Sequence, residues 1–188
     1  MRFPYACSGN YRFGKETFVE SIRFKGPAAY IADLDRSRAF YEDLLGLTVL
    51  RVMSRGATPI AVAYTEGLSI WLASDAYASL CDNASLAPQN LRGGNWENTF
   101  ETEGYAEIYD RLRDAGAEFL YEPRTLPWGQ RGFRVYDPDG HILDISETMN
   151  ASVRRQATEG KTLEEISATS GFTVDEVRQM VAGTGAPT

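Results

Sequence analysis

The chain carries few of the side chains that make tight metal or nucleophilic centres. His141 is the one histidine among 188 residues, and Cys7 and Cys81 are the only cysteines. A single imidazole cannot supply the paired histidines that zinc and iron sites favour. Two cysteines far apart in sequence make neither a zinc pair nor a disulfide framework, and suit a reducing, cytoplasmic setting. The richest local cluster is Leu126 to Phe133 (LPWGQRGF), where Trp128, Gln130 and Arg131 sit between Gly129 and Gly132. An aromatic face beside two hydrogen-bonding groups on a glycine-flanked loop fits a lid or rim over a binding site. It equally fits a β-hairpin turn with an aromatic plug. His141 directly follows DPDG at 137–140, a strong turn signal, and reads as a turn residue.

These groups need elements to hold them. Residues 1–21 show no clear periodicity and read as an irregular arm. A strand is expected from Ile22 to Ile31, and Asp33 or Asp35 can then cap a helix whose apolar residues Phe40, Tyr41, Leu44 and Leu45 recur at helical spacing. Gly46 stops it. Strands follow at Leu47 to Met53, Ile60 to Tyr64 and Leu68 to Ala73. Ser74 to Gly94 is a polar connector with room for one helical turn.

The order then repeats. Trp96 to Glu101 reads as a strand, and Tyr105, Ile108, Tyr109, Leu112 and Ala115 mark a helix that Gly116 ends. Strands are expected at Ala117 to Tyr121, Gly132 to Tyr136 and His141 to Ser146, with DPDG turning between the last two. The helix-ending glycines lie about seventy residues apart, and the flanking strands share that offset. The expected fold is therefore α+β: two βαβββ modules, 22–75 and 95–149, within one domain over 22–149. Neither open sheet can close alone, so the modules are expected to form a curved mixed sheet around one cavity.

Residues 151–188 form a short C-terminal helical appendage with capping boxes at Thr162 to Glu165 and Thr173 to Glu176. Its two short helices look like half of a helix-turn-helix. Four basic side chains (Arg154, Arg155, Lys161, Arg178) against five acidic ones (Glu159, Glu164, Glu165, Asp175, Glu176) argue against phosphate contact. The whole chain has a net charge of −7 and a pI near 4.8, which speaks against a nucleic-acid partner. No run reaches the roughly 18 apolar residues of a membrane span, and the N-terminus lacks a secretory apolar core. The setting expected is cytoplasmic, with no membrane partner.

The runs YIADLDRSRAFYEDLLGL, RLRDAGAEF and PWGQRGFRVYDPDGHILDISE resemble the vicinal oxygen chelate superfamily, which includes glyoxalase I, extradiol dioxygenases, fosfomycin-modifying enzymes and bleomycin-resistance proteins. The resemblance covers about residues 22–149. In that superfamily a divalent metal takes up to four ligands, from the first and last strand of each module, commonly His or Gln first and Glu last. Those positions fall here on Gly26 and Glu97, and on Trp71 and Asp144. Only the second module offers donors. Glu97 and Asp144 alone could hold Mg²⁺ or Mn²⁺ weakly, not zinc or iron tightly.

What the resemblance implies is therefore a cavity with an acidic wall, Glu97 and Asp144, and an aromatic wall, Trp71 with Tyr30 and Phe100. Trp128, Gln130 and Arg131 would lie at its rim. The expected function is metal-independent binding of a small molecule, with no resident cofactor: sequestration of an aromatic or cationic toxic compound or antibiotic. The alternative is a metal-dependent enzyme of the glyoxalase lyase/isomerase or dioxygenase type using Glu97 and Asp144, a buried carboxylate pair acting as acid and base. The plainer readings are that Trp71 fills vacated space, and that Arg131 or Arg134 pairs with the carboxylates. His141, three residues from Asp144, would face the other way. Relatives of this kind often dimerise, so a homodimer is expected, with the cavity inside one chain or across two. A ligand sensor signalling through the C-terminal helices is a third reading.

Overall fold

The computed structural model describes residues 26–183. The expected arm, and residues 22–25 of the first expected strand, lie outside the described residues.

Each module forms its own four-stranded mixed sheet. In the first, β1 (Ala28–Ile31) runs parallel to β4 (Ser69–Leu72), which pairs antiparallel with β3 (Thr58–Tyr64), itself antiparallel to the edge strand β2 (Val49–Arg55). The second repeats the plan with β5 (Glu97–Thr102) parallel to β8 (Ile142–Glu147), then β7 (Arg131–Tyr136) and β6 (Phe119–Thr125). The orders are β1-β4-β3-β2 and β5-β8-β7-β6. The duplication expected from glycine spacing is thus present strand for strand.

Helix α1 (Leu34–Arg38) begins where Asp33 accepts a hydrogen bond from the Arg36 N–H, and continues through wider π-helical turns over Ala39–Leu44. Helix α3 (Tyr105–Asp114) holds the same place in the second module. Both present apolar residues to one shared core. Tyr41 and Leu112 from the helices meet Val62, Ile70, Phe133, Val135, Leu143 and Ile145 from the strands. Phe133 packs edge-on against Tyr109 and Phe119 with ring centres 5.5 and 5.6 Å apart.

The two sheets do not join into one curved sheet. The faces with the larger apolar side chains turn toward the helices, so it is there that burial is most favourable. The DPDG turn locks the modules together. Asp137 accepts the Tyr41 hydroxyl hydrogen bond at 2.7 Å, and Asp139 accepts from Ala32 N, Arg36 and Ser37. A turn expected to join two strands also carries the contact between modules.

The polar connector is more helical than expected. Helix α2 (Ala73–Leu80) starts directly after β4, and a short 3₁₀ turn follows at Ala84–Leu86. Beyond β8, α4 (Met149–Thr158), α5 (Leu163–Ser170) and α6 (Val174–Ala182) pack around their own small core of Val153, Ile166, Val177 and Met180. Both expected capping boxes are formed.

Candidate functional site

Cross-strand pairing fixes which side chains share the sheet faces turned away from the core. In the first sheet one row runs Tyr30, Trp71, Ala61, Met53. In the second the corresponding row is Thr99, Asp144, Arg134, Tyr121. Trp71 stands opposite Tyr30, four residues past Gly26, whereas Asp144 stands opposite Thr99, two residues past Glu97. The four positions carried over from the superfamily are therefore out of step by two residues, and do not converge as two equivalent pairs.

Arg134 organises the acidic row. Its Nε and Nη2 donate to the two Glu97 oxygens at 2.8 and 2.9 Å, and its Nη1 lies 3.1 Å from Asp144 Oδ1 and donates to the Tyr121 hydroxyl. Ser146 also donates to Asp144, at 3.0 Å. This is the ion-paired arrangement, with Arg134 as the partner; Arg131 pairs with Glu159 instead. The guanidinium hydrogen bonds hold the Glu97 carboxyl below its ordinary range. Asp144, whose side chain is only 8% exposed, moves the other way: burial pushes it up more than Arg134 and Ser146 pull it down. Two buried carboxylates without a cation were the condition for a proton-sharing pair, and Arg134 removes it.

The same geometry tests the metal the superfamily implies. The cation that bridges Glu97 and Asp144 is already part of the chain. Among the described residues no group of three or more His, Cys, Asp or Glu is placed to hold an ion. Gly26 and Trp71 offer no donor oxygen, sulfur or imidazole. The donor set does not fit a divalent metal.

Three adjoining clefts run along the outer edge of β5. The largest, about 740 Å³, lies between Gly26, Pro27 and the Glu66–Leu68 turn on one side and Trp96 to Phe100 on the other. One of about 220 Å³ continues past Tyr30, Leu91 and His141, and one of about 200 Å³ continues past Leu47, Glu101 and Ile108. Trp96, 67% exposed, lines the first two; Glu66 and Phe100 line the first and third.

Three expected residues, Tyr30, Glu97 and Phe100, line this trough. Phe100, however, has opposite parity to Glu97 and packs against the shared core rather than beside Trp71. Trp71 and Asp144 line none of these three clefts, which lie along the edge of β5 rather than over the row that Asp144 shares with Arg134. Sequence reasoning missed Trp96, Glu66 and Glu101. Trp96, an aromatic directly after a glycine pair, was the available signal.

Trp128, Gln130 and Arg131 do not reach the trough. Gln130 is buried, donating to Glu101 and the Glu147 carbonyl and accepting from Trp128 Nε1. The Arg131 N–H donates to Glu147, whose carboxylate also binds Arg155 of α4, and Arg155 reaches the Gly129 carbonyl at 2.7 Å. The loop is fastened to the C-terminal helices. His141 is half-buried rather than merely turned to solvent, and its Nε2 meets the Tyr30 carbonyl at 2.7 Å.

A family model described as a glyoxalase-like domain matches residues 24–150. A probable lactoylglutathione lyase of Synechocystis is 27% identical over 120 residues, covering 63% of this chain and 89% of its own. A bleomycin resistance protein of Geobacillus stearothermophilus is 24% identical over 131 residues, covering 66% and 96%. Among solved structures, a protein of unknown function from Agrobacterium tumefaciens superposes with a TM-score of 0.61 at 26% identity, covering 70% of this chain and 98% of that one. A glyoxalase-related enzyme from Fulvimarina pelagi gives 0.52 at 24% identity, covering 67% and 88%. No described helix is long and apolar enough to cross a membrane.

Proposed function

The chain belongs to the glyoxalase-like domain family, and from that premise we propose that it is a metal-independent small-molecule binding protein whose ligand occupies the trough along β5. The observation that carries this reading is Arg134, which takes up the coordinating capacity of Glu97 and Asp144 beside a cleft of about 740 Å³. That volume lies in the range of drug-sized sites. Its exposed Trp96 offers a stacking face, and Glu66, whose partner is the neutral Thr48 N–H, favours a ligand bearing positive charge. The likeness to a bleomycin resistance protein supports a drug-like compound as the ligand. Exposed Val49, Leu50 and Val52 on edge strand β2 support a second copy of the chain covering that surface.

Calorimetric titration of the purified chain tests the reading. Mn²⁺, Zn²⁺ and Ni²⁺ are expected to show no stoichiometric binding at micromolar concentrations, while bleomycin and a planar cation such as ethidium bind. Trp96→Ala should weaken that binding roughly tenfold, the loss of one aromatic–cation contact. Stoichiometric metal binding abolished by Glu97→Ala would sink the proposal and restore the enzyme reading.

A further inference from the structure

Among the described residues β5 is an edge strand: it pairs with β8 on one side, and its other edge faces the trough. Backbone N–H and C=O groups on such an edge form a template for another extended chain. The facing strand β1 is not paired with β5; its Tyr30 carbonyl meets His141, and the Ala32 N–H just beyond it donates to Asp139. Among the described residues, the side chains lining the three clefts include Glu66, Glu97 and Glu101 and no Lys or Arg, and Glu97 is taken up by Arg134 from β7. The hydrogen-bond partners of Glu66 and Glu101 are neutral, the Thr48 N–H and the Gln130 amide, and among the described residues no basic side chain is paired with either. They line the same cleft at one end, while Trp96 stands at the other end of β5.

We infer that the ligand is a short, extended peptide-backbone molecule that adds as a strand to β5, with a cationic group between Glu66 and Glu101 and an aromatic or apolar group at Trp96. This rests on the binding reading above and specifies its chemistry. Trp96 and Glu101 are five residue steps apart, roughly 17 Å of extended chain, so the ligand needs about six residues. Pro88, Asn90 and Leu91 at one end and Leu47 and Ile108 at the other bound the trough, which favours a short peptide over a long tail.

The test uses end-blocked hexapeptides with Lys at one end, Phe at the other and Val/Thr between, in both sequence directions, titrated into the full chain. One direction is expected to bind. Replacing its Lys by Glu should weaken binding at least tenfold. N-methylation of alternate amides on the edge-facing side should do the same. The double variant Glu66→Gln with Glu101→Gln, which retains both hydrogen-bond acceptors, should weaken binding about fivefold, the sum of two partly exposed charge contacts. Affinity should fall as salt rises. Equal binding of the N-methylated or the Glu-bearing peptide overturns the inference. So does a dimer that binds peptide only on dissociation, which would mean that a second copy occupies the edge. If no peptide binds while ethidium binds in a Trp96-dependent way, the inference fails and the function proposed above stands. If neither binds, both fail.

Discussion

At the scale of single residues, Arg134 holds two carboxylates of unequal character. Replacing it by Met leaves Asp144 charged and poorly solvated, and should cost about 3 kcal/mol in urea unfolding at pH 7. Combining Arg134→Met with Asp144→Asn removes the stranded charge and should recover most of that loss, a coupling that a double-mutant cycle measures. The two carboxylates titrate with opposite sign. Glu97 has a lowered folded pKa, so its stabilising contribution is full above the unfolded glutamate value and drains away as pH falls through the folded one. Asp144 is raised, so it favours folding at low pH and loses that contribution as pH rises through its folded value. The gap between Arg134→Met and the native chain should therefore narrow as pH falls and Asp144, raised by burial and deprived of Arg134, takes up its proton. Ion pairing with Arg134 could be read from the sequence as one of two partners. The two-residue offset between Trp71 and Asp144 could not, because strand register depends on pairing across the sheet and not on position along the chain.

At the scale of elements, the loop of Trp128 and Gln130 is held by α4 through Arg155. Arg155→Met strands the buried Glu147 carboxylate and frees the Gly129 carbonyl, and should destabilise the chain by about 3 kcal/mol. Faster amide exchange in residues 126–131, with β5 and β8 unchanged, would localise the effect; uniform loss of protection would refute it. Thr162→Ala and Thr173→Ala each remove one capping box and should cost about 1 kcal/mol, read by thermal unfolding. The capping boxes were legible because they are local chemistry. Helix α2 was not, since Ser74, Asp75 and Ser79 are ordinary loop residues and the helix is settled by packing against β4 and β1.

At the scale of the molecule, the duplication was legible from two glycines and a repeated order, because both modules solve the same packing problem with the same period. The way they meet was not. It depends on Tyr41 and Asp137, far apart in sequence, whose hydrogen bond is buried. Tyr41→Phe should cost about 1–3 kcal/mol by leaving Asp137 short of a donor, and denaturant unfolding would register it. The three C-terminal helices have a separate core, and the Synechocystis and Geobacillus relatives match only 63% and 66% of the chain while being covered over 89% and 96% of their own length.

Gly26 has φ +93°, and a Cβ placed there would lie 1.9 Å from the Gly67 carbonyl oxygen. A side chain at position 26 cannot be seated without moving the Glu66–Leu68 turn that walls the trough, so the trough's wall and a side-chain donor at this position exclude one another.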